Sequence, residues 1–253
     1  MTTQTRKTIR FSTFRSKTPG LEGVEYGFTT RHFPLFLKKT DDLSVPANQE
    51  RLKGFFSGRA DRFVFLEQTH GDGVVALDVG TADRIGRFHR APSADGAITC
   101  VEGLALLVLS ADCLPIFFLA PGPPRHAGAG PGPTRWVGLA HAGRRGTHAR
   151  IARKTFGLLL ERSGRRPGEV RVAFGPAICG RHYEVGEESG VKRFFDIAAE
   201  NKRQLLEAGA DPRNISDPGI CTYSENGDFY SYRKEGDRAG RMISAIYINS
   251  RRR

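Results

Sequence analysis

The run LALLVLSADCLPIFFLAP, Leu104 to Pro121, constrains the fold more than any other stretch of the 253 residues. It is apolar for longer than a single strand, yet Asp112 and Pro115 interrupt it. A bilayer span tolerates that poorly, whereas two short strands buried on both faces and joined by a sharp polar turn accommodate it. A chain with such strands must cover both of their faces, so it needs other strands and helices to pack against them.

The rest of the sequence supplies these partners. Strand-like runs occur at 63–66, 74–78, 104–109, 115–119, 136–140, 170–174 and 243–248. Helical spacing joins Ala152, Phe156, Leu159 and Leu160, with Gly164 as the stop. Further helices fit Asp196 to Ala208, closed by Gly209, and Asn48 to about Phe56, ended by Gly58. The Pro/Gly-rich segment 121–135 reads as an exposed, flexible loop between strands. Strands and helices mix without strict alternation. This predicts an α+β (mixed α/β) fold, a central mixed β-sheet or β-sandwich flanked by helices, in one domain spanning 1–253.

Composition narrows the function. The first residues are basic but lack an apolar stretch behind them, so no secretory signal is expected. Four scattered cysteines without a CxxC pair suit free thiols and a cytoplasmic location. The formal net charge of +12 favours polyanions or anionic small substrates such as phosphate. The basic residues are dispersed, and no aromatic RNA-binding pattern or zinc-finger spacing accompanies them, so a solvated basic surface is favoured over nucleic-acid recognition.

Three segments share one design, an apolar strand running into a small polar turn that carries a metal-capable residue. FVFLEQTHGDGVV places His70, LLVLSADCLPIFF places Asp112 and Cys113, and WVGLAHAGRRGTHARIA places His141. Two imidazoles and a thiolate would hold one metal and leave a fourth position open. Zinc suits that donor set, and copper is compatible by ligand type. Each residue alone reads as readily as a structural histidine or a core cysteine. After His141, the turn GRRGTHAR enters a helix, where backbone N–H groups with Arg144 and Arg145 could hold an anion; a solvated basic helix start is the equal alternative. Cys179 and Cys221 read as structural, and His126 and His148 as solvent-facing.

GFTTR (27–31), QTHG (68–71), ADGAIT (94–99), SADCLPI (110–116), HAGRRG (141–146), FGPAICGRHYEVGEE (174–188) and YSYRKEGDRAGRM (230–242) form one ordered set. Together they resemble the purine nucleoside phosphorylase family of laccase-domain proteins, formerly described as polyphenol oxidases. The resemblance implies a zinc site at His70, Cys113 and His141. It also implies phosphorolysis of adenosine, inosine or methylthioadenosine, with adenosine deamination as a second reaction. On that footing Asp112 and Arg145 are catalytic candidates, and Arg31, Asn48, Arg144 and Arg233 substrate-binding ones. For Asp112 the competing reading is a turn carboxylate bonded to nearby backbone, and for Arg31 and Arg233 surface ion pairs. Tyr183 and Glu184 could form a pocket wall or a structural loop. Two departures stand out: Arg144 where the family usually has Trp, and HFPLFLKKTDDL after Arg31 where it usually has a Gly-rich turn and a Ser-Leu-Asn stretch.

Three other functions compete. A multicopper oxidase needs many histidines, typically in His-x-His pairs, but the seven present never form one. Cys113 could instead be a nucleophile, with His70 or His141 as base, hydrolysing amides in peptidoglycan-type fragments. A basic RNA-binding module would show steep salt dependence and indifference to His70 and Cys113.

Overall fold

The computed structural model describes residues 9–13, 21, 23–57, 59–122 and 135–250. Two six-stranded mixed sheets form its centre. The first runs, in spatial order, β1 (Ile9–Thr13), β2 (Val24–Thr29), β14 (Met242–Ile248), β7 (Leu104–Ser110), β3 (Arg62–Leu66) and β5 (Phe88–Ala91). The second runs β13 (Ile215–Ser216), β10 (Arg171–Phe174), β8 (Leu114–Ala120), β9 (Trp136–Ala142), β6 (Gly96–Thr99) and β4 (Val74–Leu77). A separate hairpin pairs β11 (Glu184–Glu188) with β12 (Val191–Phe194).

Alternation along the strands explains the layering, because successive side chains point to opposite faces. In β7, Leu104, Leu106 and Val108 join the layer between the sheets, while Ala105, Leu107 and Leu109 join the outer layer. In β8, Phe117 and Leu119 face inward, and Ile116 and Phe118 face the helices Ile151–Ser163 and Ile197–Glu207. The outer face of the first sheet is covered by Leu35, Leu37, Leu43 and the helix Pro46–Phe55. Helices therefore lie on both outer faces of a β-sandwich, as the doubly apolar strands require. Among the described residues, no helix is long and apolar enough to cross a membrane.

All seven expected strands and all three expected helices are present. Asp196 caps its helix by accepting the Ala199 N–H at 2.9 Å, and Gly164 ends its own in the left-handed region. The 121–135 loop falls almost wholly outside the described residues, as do His126 and Gly58. One difference concerns the helix expected after GRRG. It breaks into Arg144–His148 and Ile151–Ser163, with Arg150 left-handed between them (φ 64°). The Thr147 carbonyl accepts from the Gln204 amide at 2.9 Å and from the Arg150 N–H at 3.0 Å, which closes the first turn early. Strands β1, β2, β5 and β6, the short β13 and the 184–194 hairpin were not expected; most are short, although β2 alternates cleanly, with Val24, Tyr26 and Phe28 on one face.

Candidate metal centre

The two sheets meet at the turn between β7 and β8, where the chain leaves the first sheet and enters the second. Cys113 sits at this crossing, one residue before β8, and His141 near the end of the adjacent β9. His141 shares the parity of Val137 and Leu139, so it faces the layer between the sheets. His70 reaches the same point from the first sheet, on the loop after β3. The Gln68 side chain anchors that loop, donating to the Leu109 carbonyl at 2.6 Å and accepting its N–H at 2.7 Å.

The donor atoms of His70, Cys113 and His141 lie within 4.8 Å of one another. The two imidazoles meet edge to face, their centroids 4.8 Å apart. Gly143 is required here, since a Cβ would stand 2.9 Å from His70 Cδ2 and 3.1 Å from Cys113 Sγ. His70 (φ 60°) and Asp112 (φ 88°) both hold left-handed backbone, a strain that persists only where surroundings enforce it.

Those surroundings include Asp95, whose role the sequence reading missed. Its carboxylate is fully buried, contacts His141 Nδ1 at 2.8 Å, and accepts the N–H groups of Thr69, His70 and Gly71. One side chain thus orients a metal ligand and shapes the loop carrying another, leaving Nε2 of His141 to face the centre. The available signal was an acidic residue opening the otherwise apolar strand DGAIT. Burial disfavours charge on all three partners, but their mutual attraction prevails. Cys113 is brought down to about 6 by the two histidines, His141 up to about 9 by Cys113 and Asp95, and the Asp95 carboxyl is lowered. The donor set fits a zinc ion with one open position.

The centre forms the floor of a cleft of about 1020 Å³. Lys38, Lys39, Arg144, Arg145, Arg233 and Arg241 line it, against Asp112, Glu184 and Asp237. Arg145 is exposed and its guanidinium has no hydrogen-bond partner among the described residues, whereas Arg144 donates to the Val185 carbonyl at 3.3 Å. Asp112 is buried with both oxygens occupied, accepting from the Thr222 hydroxyl and the Arg233 N–H, each at 2.6 Å. Its carboxylate thus ties the β7–β8 turn to distant loops rather than to its own backbone. Tyr183 and Glu184 lie on the wall, with the Arg233 guanidinium 5.1 Å over the Tyr183 ring.

Two candidates are not brought into the cleft. Arg31 pairs with Glu235 at 2.9 Å and lies over the Tyr230 ring, and Asn48 donates to the Asp42 carbonyl at 2.7 Å. The unusual segment after Arg31 does reach it. Phe33, Leu35 and Leu37 anchor that segment in the core, so Lys38, Lys39 and Thr40 form one wall. His148 is exposed and packs on Phe195, 5.0 Å between centroids.

The family described as multi-copper polyphenol oxidoreductase laccase matches residues 27–249. The chain belongs to this family. It is 31% identical to the purine nucleoside phosphorylase of Deinococcus radiodurans, over 85% of this chain and 81% of that one. It is 28% identical to the adenosine deaminase RL5 of an unknown prokaryotic organism, over 74% and 75% of the two chains. The crystal structure of YlmD from Geobacillus stearothermophilus superposes with a TM-score of 0.74 at 30% identity, covering 92% of this chain and 94% of that one. Despite the family's descriptive name, the described residues gather two metal-capable groups, and neither contains more than two histidines.

Proposed function

We propose that this chain is a zinc-dependent purine nucleoside phosphorylase with a second, adenosine deaminase activity. The observation that carries this reading is the convergence of His70, Cys113 and His141, braced by Asp95, at the floor of a strongly basic cleft. It is supported by relatives of that name matching most of the chain.

In phosphorolysis, a phosphate oxygen attacks C1′ of the nucleoside while the bond to the purine breaks, and the base leaves with a proton. Arg145, free to turn into the cleft, and Arg144 would hold the phosphate by charge-assisted hydrogen bonds. Tyr183 offers a flat face for the purine beside Arg233. Asp112 suits a positioning role better than that of general acid, since both its oxygens already accept hydrogen bonds. When bound, zinc supplies Lewis acidity at the floor, which hydrolytic removal of the adenine amino group requires. His141 would stay neutral as a ligand, its other ring proton held by Asp95. The free thiols suit a cytoplasmic setting.

The test is chromatography of products from adenosine and from inosine, with and without phosphate, on zinc-loaded protein and on Cys113→Ala. Phosphate-dependent release of the base, lost in the variant, is expected. Zinc bound with neither nucleoside converted would overturn the reading.

One observation favours a second reading. Without a metal, Cys113, His141 and Asp95 line up as an activated thiolate, an imidazolium and an orienting carboxylate, the arrangement of a cysteine hydrolase. Iodoacetamide separates the two, because zinc would protect Cys113 and a free nucleophile would be alkylated in the protein as isolated.

A further inference from the structure

Outside the cleft floor, another cluster of soft donors is built by two loops. Cys179 precedes the tight turn Gly180–His182, which carries the chain back so that His182 Nδ1 lies 3.1 Å from Cys179 Sγ. Only glycine fits at 180, where a Cβ would stand 2.8 Å from Asp196 Oδ2. The segment around Cys221 runs alongside: the Ala177 N–H donates to the Ile220 carbonyl at 3.1 Å and the Thr222 N–H to the Ala177 carbonyl at 3.0 Å. That pairing brings Cys221 Sγ to 3.5 Å from the same His182 nitrogen, while the Cys179 N–H donates to this sulfur at 3.4 Å. Ser224 Oγ is 3.4 Å from that nitrogen too, and the imidazole is stacked on Tyr223 at 4.7 Å.

Three side chains thus converge on one ring nitrogen, which offers either one lone pair or one N–H and can serve only one of them well. A cation in their midst removes the conflict, because two thiolates and an imidazole would then all point at positive charge. The spacing suits it. Tetrahedral zinc with sulfur at about 2.3 Å and nitrogen at about 2.05 Å separates the two donors by about 3.6 Å. The observed sulfur–nitrogen distances, 3.1 and 3.5 Å, need only a slight opening.

We propose that Cys179, His182 and Cys221 form a second, structural metal site for a zinc-like cation, completed by water or the Ser224 hydroxyl. The metal would clamp the loop that ends in Tyr183, on the cleft wall, to the loop bearing Thr222, which holds Asp112. Its effect would be on shape and stability.

The decisive measurement is metal content of the full chain, prepared under reductant, stripped with chelator, reloaded with zinc and freed of excess. The expected stoichiometry is about two equivalents for the parent, about one for Cys113→Ala and none for Cys113→Ala combined with His182→Ala. Cobalt in Cys113→Ala should give a thiolate charge-transfer band that Cys179→Ser weakens and Cys179→Ser with Cys221→Ser removes, with circular dichroism confirming the fold. Should Cys113→Ala not fold, His182→Ala alone must drop the parent from about two equivalents to one. A folded Cys113→Ala that binds no zinc overturns the proposal, as does a parent stoichiometry that His182→Ala leaves unchanged, or metal retained in the double variant. So does a Cys179–Cys221 disulfide, seen by intact mass, that persists under reductant and keeps cobalt out.

Discussion

The floor and the rim of the cleft are built on different terms. On the floor, Asp95 is fully buried and bonded to His141 and three backbone N–H groups, and Gly143 leaves no room for adjustment. On the rim, Arg144 and Arg145 are exposed, the Lys39 ammonium pairs with exposed Asp41, and the Lys38 ammonium donates to the Asp237 carbonyl at the surface. A buried, satisfied network fixes geometry, whereas exposed cations on long stems hold theirs weakly. The contrast teaches that the fold fixes geometry at the floor and leaves it adjustable at the rim.

The comparison breaks most visibly at a ligand. Replacing Cys113 or His141 by Ala is expected to lower turnover by about 10³-fold or more, since the Lewis acid is lost, and steady-state rates check it. Substitution of Asp95 by Asn tests whether the floor depends on what lies behind the ligands. Zinc affinity or activity should fall by about 10–100-fold, read by competition with a chromophoric chelator. On the rim, Arg145→Ala should weaken phosphate by about tenfold, raising its KM while kcat changes little; an equal fall in kcat would move Arg145 to the transition state. Lys39→Ala should change substrate KM by only about two- to threefold, and less at high salt, as an exposed charge does.

A final, smaller effect concerns protons. Without metal, Cys113 is a thiolate above about 6 and His141 an imidazolium below about 9. Ligation needs the thiolate and the neutral imidazole. Zinc uptake within this window should therefore release the His141 proton, with the release rising as pH falls below the window and falling to none above it. Calorimetry in buffers of different ionisation enthalpy measures this. No release within the window would mean that the pair is neutral before metal binds.

Much of the fold was readable because period-two alternation and continuous apolar runs report burial directly. The run 104–121 demanded two doubly buried strands with a break at Asp112, and β7 and β8 are those strands. Three ligands could be picked because each ends a strong strand with a polar turn. Asp95 escaped because a single buried carboxylate at the start of a short strand has no local pattern. Its partners lie 24 to 46 residues away in sequence. Arg31 and Asn48 were named on the footing of the resemblance, which carries no side-chain direction; the structure pairs Arg31 with Glu235 and Asn48 with the Asp42 carbonyl.

By itself, then, the sequence determined the layers and the ligand-bearing turns, since both arise from local patterning and the chemistry of single side chains. Only the tertiary structure decided that Asp95 braces His141, that Lys38 and Lys39 reach the cleft, and that Cys179, His182 and Cys221 meet. Each of these depends on how distant segments cross, and crossing is set by the packing of both sheets against their helices, which no window of sequence records.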